Sequence, residues 1–532
     1  MHRDSEKRVC AVLWSTLAAL TLVWPALAET VTIGRHIIPG TRVTPSETQA
    51  YHPGAGHRFV VNEAHEIPKD MIVQGDTVVL RIRGLDATRV LDAGWTLRKA
   101  SGMPSLTTST EPVEAVFRAD GYGENVVEFS AKVDGRRVTG QTSLFVEFSS
   151  DNMLVSGQSV PMPADHESNP FVRPYTLPTI DHREQCTARN PQTGRLVTVW
   201  QVNFLEGQPD DGPMGVAVMH SDDHGITWTN QRYLYIDHPN NSSWGAIGWS
   251  PGGNGGEGEF LLFTCSHVRS PENRLMLFRS RDNGDSWQHL GDYQDSLARE
   301  FGRDNALLTY FGVNRIIATE HGTLVAPMVS KQFVRTIWSD DNGATWHGSN
   351  LDDRFPQGNE NAIVETVDGN KLILFARPKN ETPPHNHRFD SSDGGRTWSV
   401  AGRSTIPTAV VNLGVDRITA PGRPYHGHLL HASAATRNGP HKGRQRTVLA
   451  INDDPVEVDP SRWDMRLLWD ARANYSDVIY IPEDGSVFVS IETILPGRKS
   501  PLGYDSIRYF KLSYRYWQHL PRYSGTSNAG SP

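Results

Sequence analysis

Cysteine is scarce: three residues in 532 cannot supply a disulfide framework, so the fold must rest on packing and hydrogen bonds. Long apolar runs are missing beyond the first 28 positions, which excludes a chain that threads a bilayer with helices. Positive charge is not in excess, since 52 Lys and Arg stand against 60 Asp and Glu for a net of −8, and that excludes a protein gripping a nucleic-acid backbone by bulk charge. Any anion must be met by a local cluster. No Walker, Rossmann or Gly-x-Ser-x-Gly signature occurs, so phosphate-loop, dinucleotide and serine-hydrolase chemistry fall away. The histidines at 385–387 and 426–431 lack Cys or Glu neighbours at metal-ligand spacing, so neither metal nor cofactor is expected. What abounds is turn chemistry: 47 glycines and 34 prolines suit many short strands, and the length calls for two domains or an array with an appendage.

The chain opens with a short basic stretch to Arg8, an apolar run from Val9 to Pro25, and Ala26-Leu27-Ala28 before Glu29. That order is the pattern of an export signal, predicting a secreted or periplasmic protein that begins at Glu29 and keeps no stable membrane insertion. Cys186 and Cys265 then remain, and their strand-like surroundings suit a bridge or two buried thiols.

From residue 29 to 148, runs such as DTVVLRIRG, EAVFRADG and NVVEFSAKVDG alternate apolar and polar residues between Gly, Asp and Asn turns, predicting an immunoglobulin-like β-sandwich. Residues 149–178 are rich in Ser, Pro and Asn and read as a linker, and 523–532 read as a disordered tail. Between them, 179–522 carries a repeat. SDDHGITW (221–228), SRDNGDSW (280–287), SDDNGATW (339–346) and SSDGGRTW (391–398) share Ser-x-Asp-x-Gly-x-x-Trp at spacings of 59, 59 and 52 residues. Each is preceded by strand-like runs, the pattern of a propeller blade. Glycine permits a positive φ, Ser and Asp bind nearby amides, and Trp packs between sheets, so the turn is a staple and its aspartates are not catalytic. Thr408–Pro455, with a decayed turn in INDDP, and Asn474–Leu520 supply a fifth and a sixth unit. The fold class is therefore all-β: a six-bladed propeller behind a sandwich.

The four turns resemble the Asp boxes of the sialidase superfamily. In that family three arginines hold the substrate carboxylate, a tyrosine paired with a glutamate is the nucleophile, and an aspartate is the acid/base. ANYSDVIYIPEDGSVFVSIET resembles the family's Tyr-Ser-Asp-Leu segment and places Tyr475 at the nucleophile. GNENAIVETVDG resembles its Glu-x-x-x-Val-Glu element, implying Glu360 as the base in preference to Glu365, and LILFARPKN supplies Arg377. Arg183 in DHREQCTARNP occupies the slot of the family's Tyr-Arg-Ile-Pro-Ala, with His182 for the aromatic and Glu184-Gln185 for Ile-Pro. The third arginine is read as Arg444, with Arg446 and Arg462 as competitors, and Asp210 or Asp211 in the loop VNFLEGQPDDGPMG falls where the acid/base is expected.

The resemblance implies a retaining exo-glycosidase whose partner is a sialylated or other acidic glycan. Two further readings stand beside it: a hydrolase or lyase of another uronic-acid polysaccharide, favoured by the HREQC segment, and a non-catalytic carbohydrate-binding propeller. The reach between the Tyr475 hydroxyl and Glu360 separates catalysis from binding.

Overall fold

The computed structural model describes residues 29–523 apart from 40–71, 74–75, 100–103, 120–122, 148, 157–159, 161–167, 173–180, 205–212, 237–241, 253–256, 267–272, 302–313, 330–333, 352–357, 379–384, 408–410, 422–424, 436–445, 455–461, 470–472, 494–505, 514–516, 518–519 and 521. The export-signal reading of 1–28 and all of the tail but Tyr523 lie outside the described residues.

Alternation builds the first domain. Thr77–Ile82 and Glu114–Arg118 bury every second side chain, as a strand with one face on a core must. They pair with Ile33–Ile38 and Ser105–Thr108 in one sheet, while Val90–Lys99, Gly123–Val133 and Arg136–Glu147 form the other with the short strands at 29–30 and 72–73. Val78, Leu80 and Phe117 from the first sheet meet Val127, Leu144 and Val146 from the second, which makes a two-sheet sandwich.

The propeller strands bury both faces. Leu196–Asn203, Met214–Ser221 and Ser486–Thr493 are buried at every position, because each sheet is covered on either side by its neighbours in the ring. Blade 1 spans 181–236, blade 2 spans 242–292, blade 3 spans 314–348, blade 4 spans 358–407 and blade 5 spans 414–469, each a four-stranded antiparallel meander running outward from the axis. Blade 6 takes three strands from 473–513 and its fourth from Ser149–Ser156, which pairs antiparallel with Ser506–Ser513. This corrects the linker reading of 149–178. The ring closes by lending the last blade an outer strand from before the first, and the Ser-Ser-Asp-Asn composition of that strand reads as turn. Farther along, Val172 bridges Ile236 and Phe171 packs on the blade 1 core, so more of the segment is built into the propeller. Tyr523 donates its N–H to Met465 O, so ordered contacts extend to the first residue of the expected tail.

The Asp boxes join the third and fourth strands of blades 1 to 4 and share one bonding scheme. In the third copy Asp341 Oδ1 accepts from Ser339 Oγ and Thr345 N at 2.8 Å each, Thr345 Oγ1 donates to Oδ2 at 2.5 Å, and Gly343 N donates to Ser339 Oγ at 2.9 Å. Gly343 sits at φ 85°, and a Cβ there would come within 2.7 Å of Leu261 Cδ1. Each tryptophan seals against the preceding blade: Trp346 packs on Phe263 at 5.0 Å, Trp228 on Phe488 at 5.6 Å, and Trp398 Nε1 donates to Thr336 Oγ1 at 2.8 Å. Burial pushes the Asp282, Asp341 and Asp393 carboxyls up, but the Ser and Thr donors around them outweigh it and hold all three below the usual range. Asp341→Ala should therefore cost about 1–3 kcal/mol in denaturant unfolding, by stranding these donors, while the turnover of the folded protein stays unchanged. Loss of turnover at full folding would give the box a functional role.

Cys186 and Cys265 are both buried free thiols. Among the described residues no group of His, Cys, Asp and Glu is arranged to hold a metal, and no helix is long and apolar enough to cross a membrane.

Candidate active site

Four inner strands break register at the same end of the ring. The ladder slips between Arg183 and Cys186 in blade 1, between Trp244 and Ile247 in blade 2, between Gly358 and Asn361 in blade 4, and between Ala473 and Ser476 in blade 6. A bulge re-aims the side chain it carries. The bulged residues of blades 1, 4 and 6 are Glu184-Gln185, Asn359-Glu360 and Asn474-Tyr475. In blade 4 the hairpin between Glu365 and Leu372 shares its end with the Asp box at Ser391, and Glu360 and Arg377 lie at the other end, so site and staples face opposite ways. Glu365 is at the staple end, accepting the Glu320 N–H at 3.0 and 3.1 Å.

Tyr475, Glu360 and Arg377 meet. The Tyr475 hydroxyl donates to Glu360 Oε1 at 2.5 Å, and Arg377 Nη1 donates to both Glu360 oxygens at 2.7 and 2.6 Å and to Tyr475 Oη at 3.1 Å. Tyr475 and Glu360 are each 5% exposed. Burial works against the Arg377 charge, but Glu360 first and Tyr475 second overcome it and raise the guanidinium above its ordinary value. This is a charge-assisted triad with little water, in which a proton leaving the phenol has an acceptor and the oxygen left behind has a cation.

Blade 1 is tied to the same point. Glu492, fully buried at the end of the second strand of blade 6, accepts the Glu184 N–H at 2.5 Å on one oxygen, and Asn474 Nδ2 at 2.5 Å with the Tyr475 N–H at 3.5 Å on the other. Gln185 Nε2 donates to Tyr475 O at 3.3 Å. Glu184 stands at φ 52°, a left-handed conformation that costs a non-glycine residue about 1–3 kcal/mol and persists where its surroundings fix it. Glu492 is what fixes it. Arg183 is buried beside this turn, with its Nη2 at 3.6 Å from Glu184 Oε1. His182 is fully buried and accepts from Trp200 Nε1 at 3.1 Å, with its ring 6.4 Å from that of Trp200.

Asp210, Asp211 and Arg444 lie outside the described residues. Of the competitors, Arg462 pairs with Asp453 in the turn of blade 5 that replaces an Asp box, at the end away from Glu360. Arg446 begins the third strand of that blade near Tyr523. Neither Glu492 nor Gln185 has a role legible in the sequence; the available signal for Glu492 is a lone acid closing the apolar run SVFVSIET.

Residues 194–489, over half of the chain, match the BNR repeat-like domain family. A comparison with curated proteins found no match. Among solved structures the chain is similar to the Hadza microbial sialidase Hz136, at 14% identity and a TM-score of 0.52 over 90% of this chain and 99% of that one. It is also similar to the NanB sialidase of Streptococcus pneumoniae, at 12% identity and a TM-score of 0.51 over 83% of this chain and 84% of that one. At these identities the likeness speaks to fold. With the four repeated turns and six blades already in place, the chain belongs to the BNR repeat-like domain family.

Proposed function

We propose that this protein is a retaining exo-glycosidase of sialidase type, exported by the signal at 1–28, that removes a terminal sialic acid or related acidic sugar from glycans. The observation that carries the reading is the 2.5 Å hydrogen bond from Tyr475 to Glu360 under Arg377. A phenol is a poor nucleophile near its ordinary pKa of about 10, so it needs a base in contact. Glu360 is that base. Tyr475 attacks the anomeric carbon as its proton passes to Glu360, Arg377 steadies the charge on both oxygens, and Asp210 or Asp211 protonates the leaving oxygen. Water then releases the sugar from the tyrosine with retained configuration. A neutral nucleophile suits an anionic sugar, because a carboxylate would be repelled by it. Arg183, Arg377 and Arg444 hold the substrate carboxylate as planar forks that lysine cannot replace.

Glu184 beside Arg183 favours a second substrate class, uronic acids, since it places an added hydrogen-bond acceptor at that arginine. A panel of fluorogenic sialosides, glucuronides and neutral glycosides tests both. Release from an acidic member, with a fluorinated acidic glycosyl fluoride trapped on Tyr475 in peptide mapping, is the expected result. Binding of acidic sugars without any turnover would leave a carbohydrate-binding propeller instead.

A further inference from the structure

Below the site, on the propeller axis, a second buried ion pair lies outside the proposed chemistry. Arg315 on the inner strand of blade 3 donates from Nη1 to Asp477 Oδ1 at 2.7 Å, with the two side chains only 11% and 4% exposed. Asp477 Oδ2 accepts the Thr187 N–H of blade 1 at 2.8 Å. The other guanidinium arm donates to Val415 O of blade 5. Neighbouring bonds repeat the pattern: Asn314 Nδ2 donates to Leu413 O at 3.1 Å, and Tyr480 N donates to Asp416 Oδ2 at 2.7 Å. Gly414 packs so close that a Cβ there would come within 2.7 Å of Asp477 Cα. Four of the six inner strands thus converge on one ion pair.

We propose that Arg315 and Asp477 are positioning residues that hold Tyr475 against Glu360. Among the described residues the inner strands of neighbouring blades share one backbone ladder, the short parallel pairing of Ala246–Gly248 with Asn314–Ile316 between blades 2 and 3, so side chains crossing the axis must set how the other blades sit relative to one another. The triad needs such a reference because its members come from different blades: Glu360 and Arg377 from blade 4, Tyr475 from blade 6, with Arg183 from blade 1. Asp477 is two residues from Tyr475 on the same strand, and its Thr187 bond lies two residues past Gln185, which grips the Tyr475 carbonyl. The ion pair and the Gln185 bond therefore brace the Tyr475 bulge from both sides. A displacement of about 1 Å in a reacting group costs on the order of a hundredfold in rate, so a modest loosening here reaches the chemistry.

The proposal rests on Tyr475 acting as the nucleophile, and the test separates the two ideas. Asp477→Asn and Arg315→Met are compared with Asp484→Asn, which breaks another buried ion pair of blade 6, Lys511 to Asp484 at 2.6 Å, at its staple end. Arg315→Lys, which keeps the charge, serves if the Met variant does not fold. Turnover is read together with tyrosine ring carbon NMR, in which the Tyr475 signal is assigned by its loss in Tyr475→Phe. The expected result is a fall in kcat of at least about thirtyfold with KM within threefold, and a shifted Tyr475 signal, in the axis variants alone. Equal kcat and an unmoved Tyr475 signal in folded axis and Asp484→Asn variants would reduce the pair to general stability and overturn the proposal. A wild-type protein inactive on every acidic sugar, with Tyr475 still displaced only in the axis variants, would sustain the positioning role and reject the nucleophile.

Discussion

Tyr475→Phe is expected to lower kcat on the best acidic glycoside by at least about a thousandfold while leaving KM within a few-fold. The change removes one oxygen. The ring remains in the apolar cluster with Val411 and Ala434, so the fold should hold, and Glu360 keeps its two bonds from Arg377. The lost donor costs about 1 kcal/mol of stability, a small shift beside the kinetic effect. Because the binding arginines are untouched, affinity for the released sugar should persist in calorimetry, which separates lost chemistry from lost binding. A variant within tenfold of wild type would mean that the hydroxyl forms no covalent bond to the sugar, and the retaining mechanism would have to be abandoned.

What could be read in the sequence follows the range of the interactions. The Asp boxes were legible because their bonds run over two to four residues, so Ser, Asp and Gly must recur at fixed offsets whatever lies around them. The sandwich strands were legible because one face is wet and the pattern alternates. Glu360 and Tyr475 are 115 residues apart, and no local rule joins them; only the resemblance of two strand ends to family motifs did so. Glu492 bonds across 308 positions and Arg315 across 162, beyond the range of any local rule, so these bonds show only in the folded ring. The strand Ser149–Ser156 was misread for the same reason, since its partner at 506–513 lies at the far end of the chain. Arg462, a competitor for the third arginine, points to the staple end, paired with Asp453.

Arg377→Met should damage stability and turnover together, and the pH profile shows how. Glu360 is 5% exposed and receives both arms of its stabilisation from one Arg377 nitrogen, so removing that cation leaves a buried carboxylate facing only a phenol. Breaking a buried pair in this way costs about 3–5 kcal/mol, visible in denaturant unfolding. The remaining carboxyl reduces the penalty by taking up a proton, which means that its pKa rises. A protonated Glu360 cannot accept the Tyr475 proton. Turnover near neutral pH should therefore fall by at least about a hundredfold, and the acid limb of kcat should move to higher pH, with partial recovery as pH climbs past the raised value. Arg377→Lys should lie between, because it restores charge but not the planar fork. With Glu360→Gln already in place, Arg377→Met should cost far less stability, since no buried charge is then stranded. An unchanged acid limb in Arg377→Met, with only KM raised, would mean that Arg377 serves the substrate carboxylate alone and leaves Glu360 to keep its own proton off.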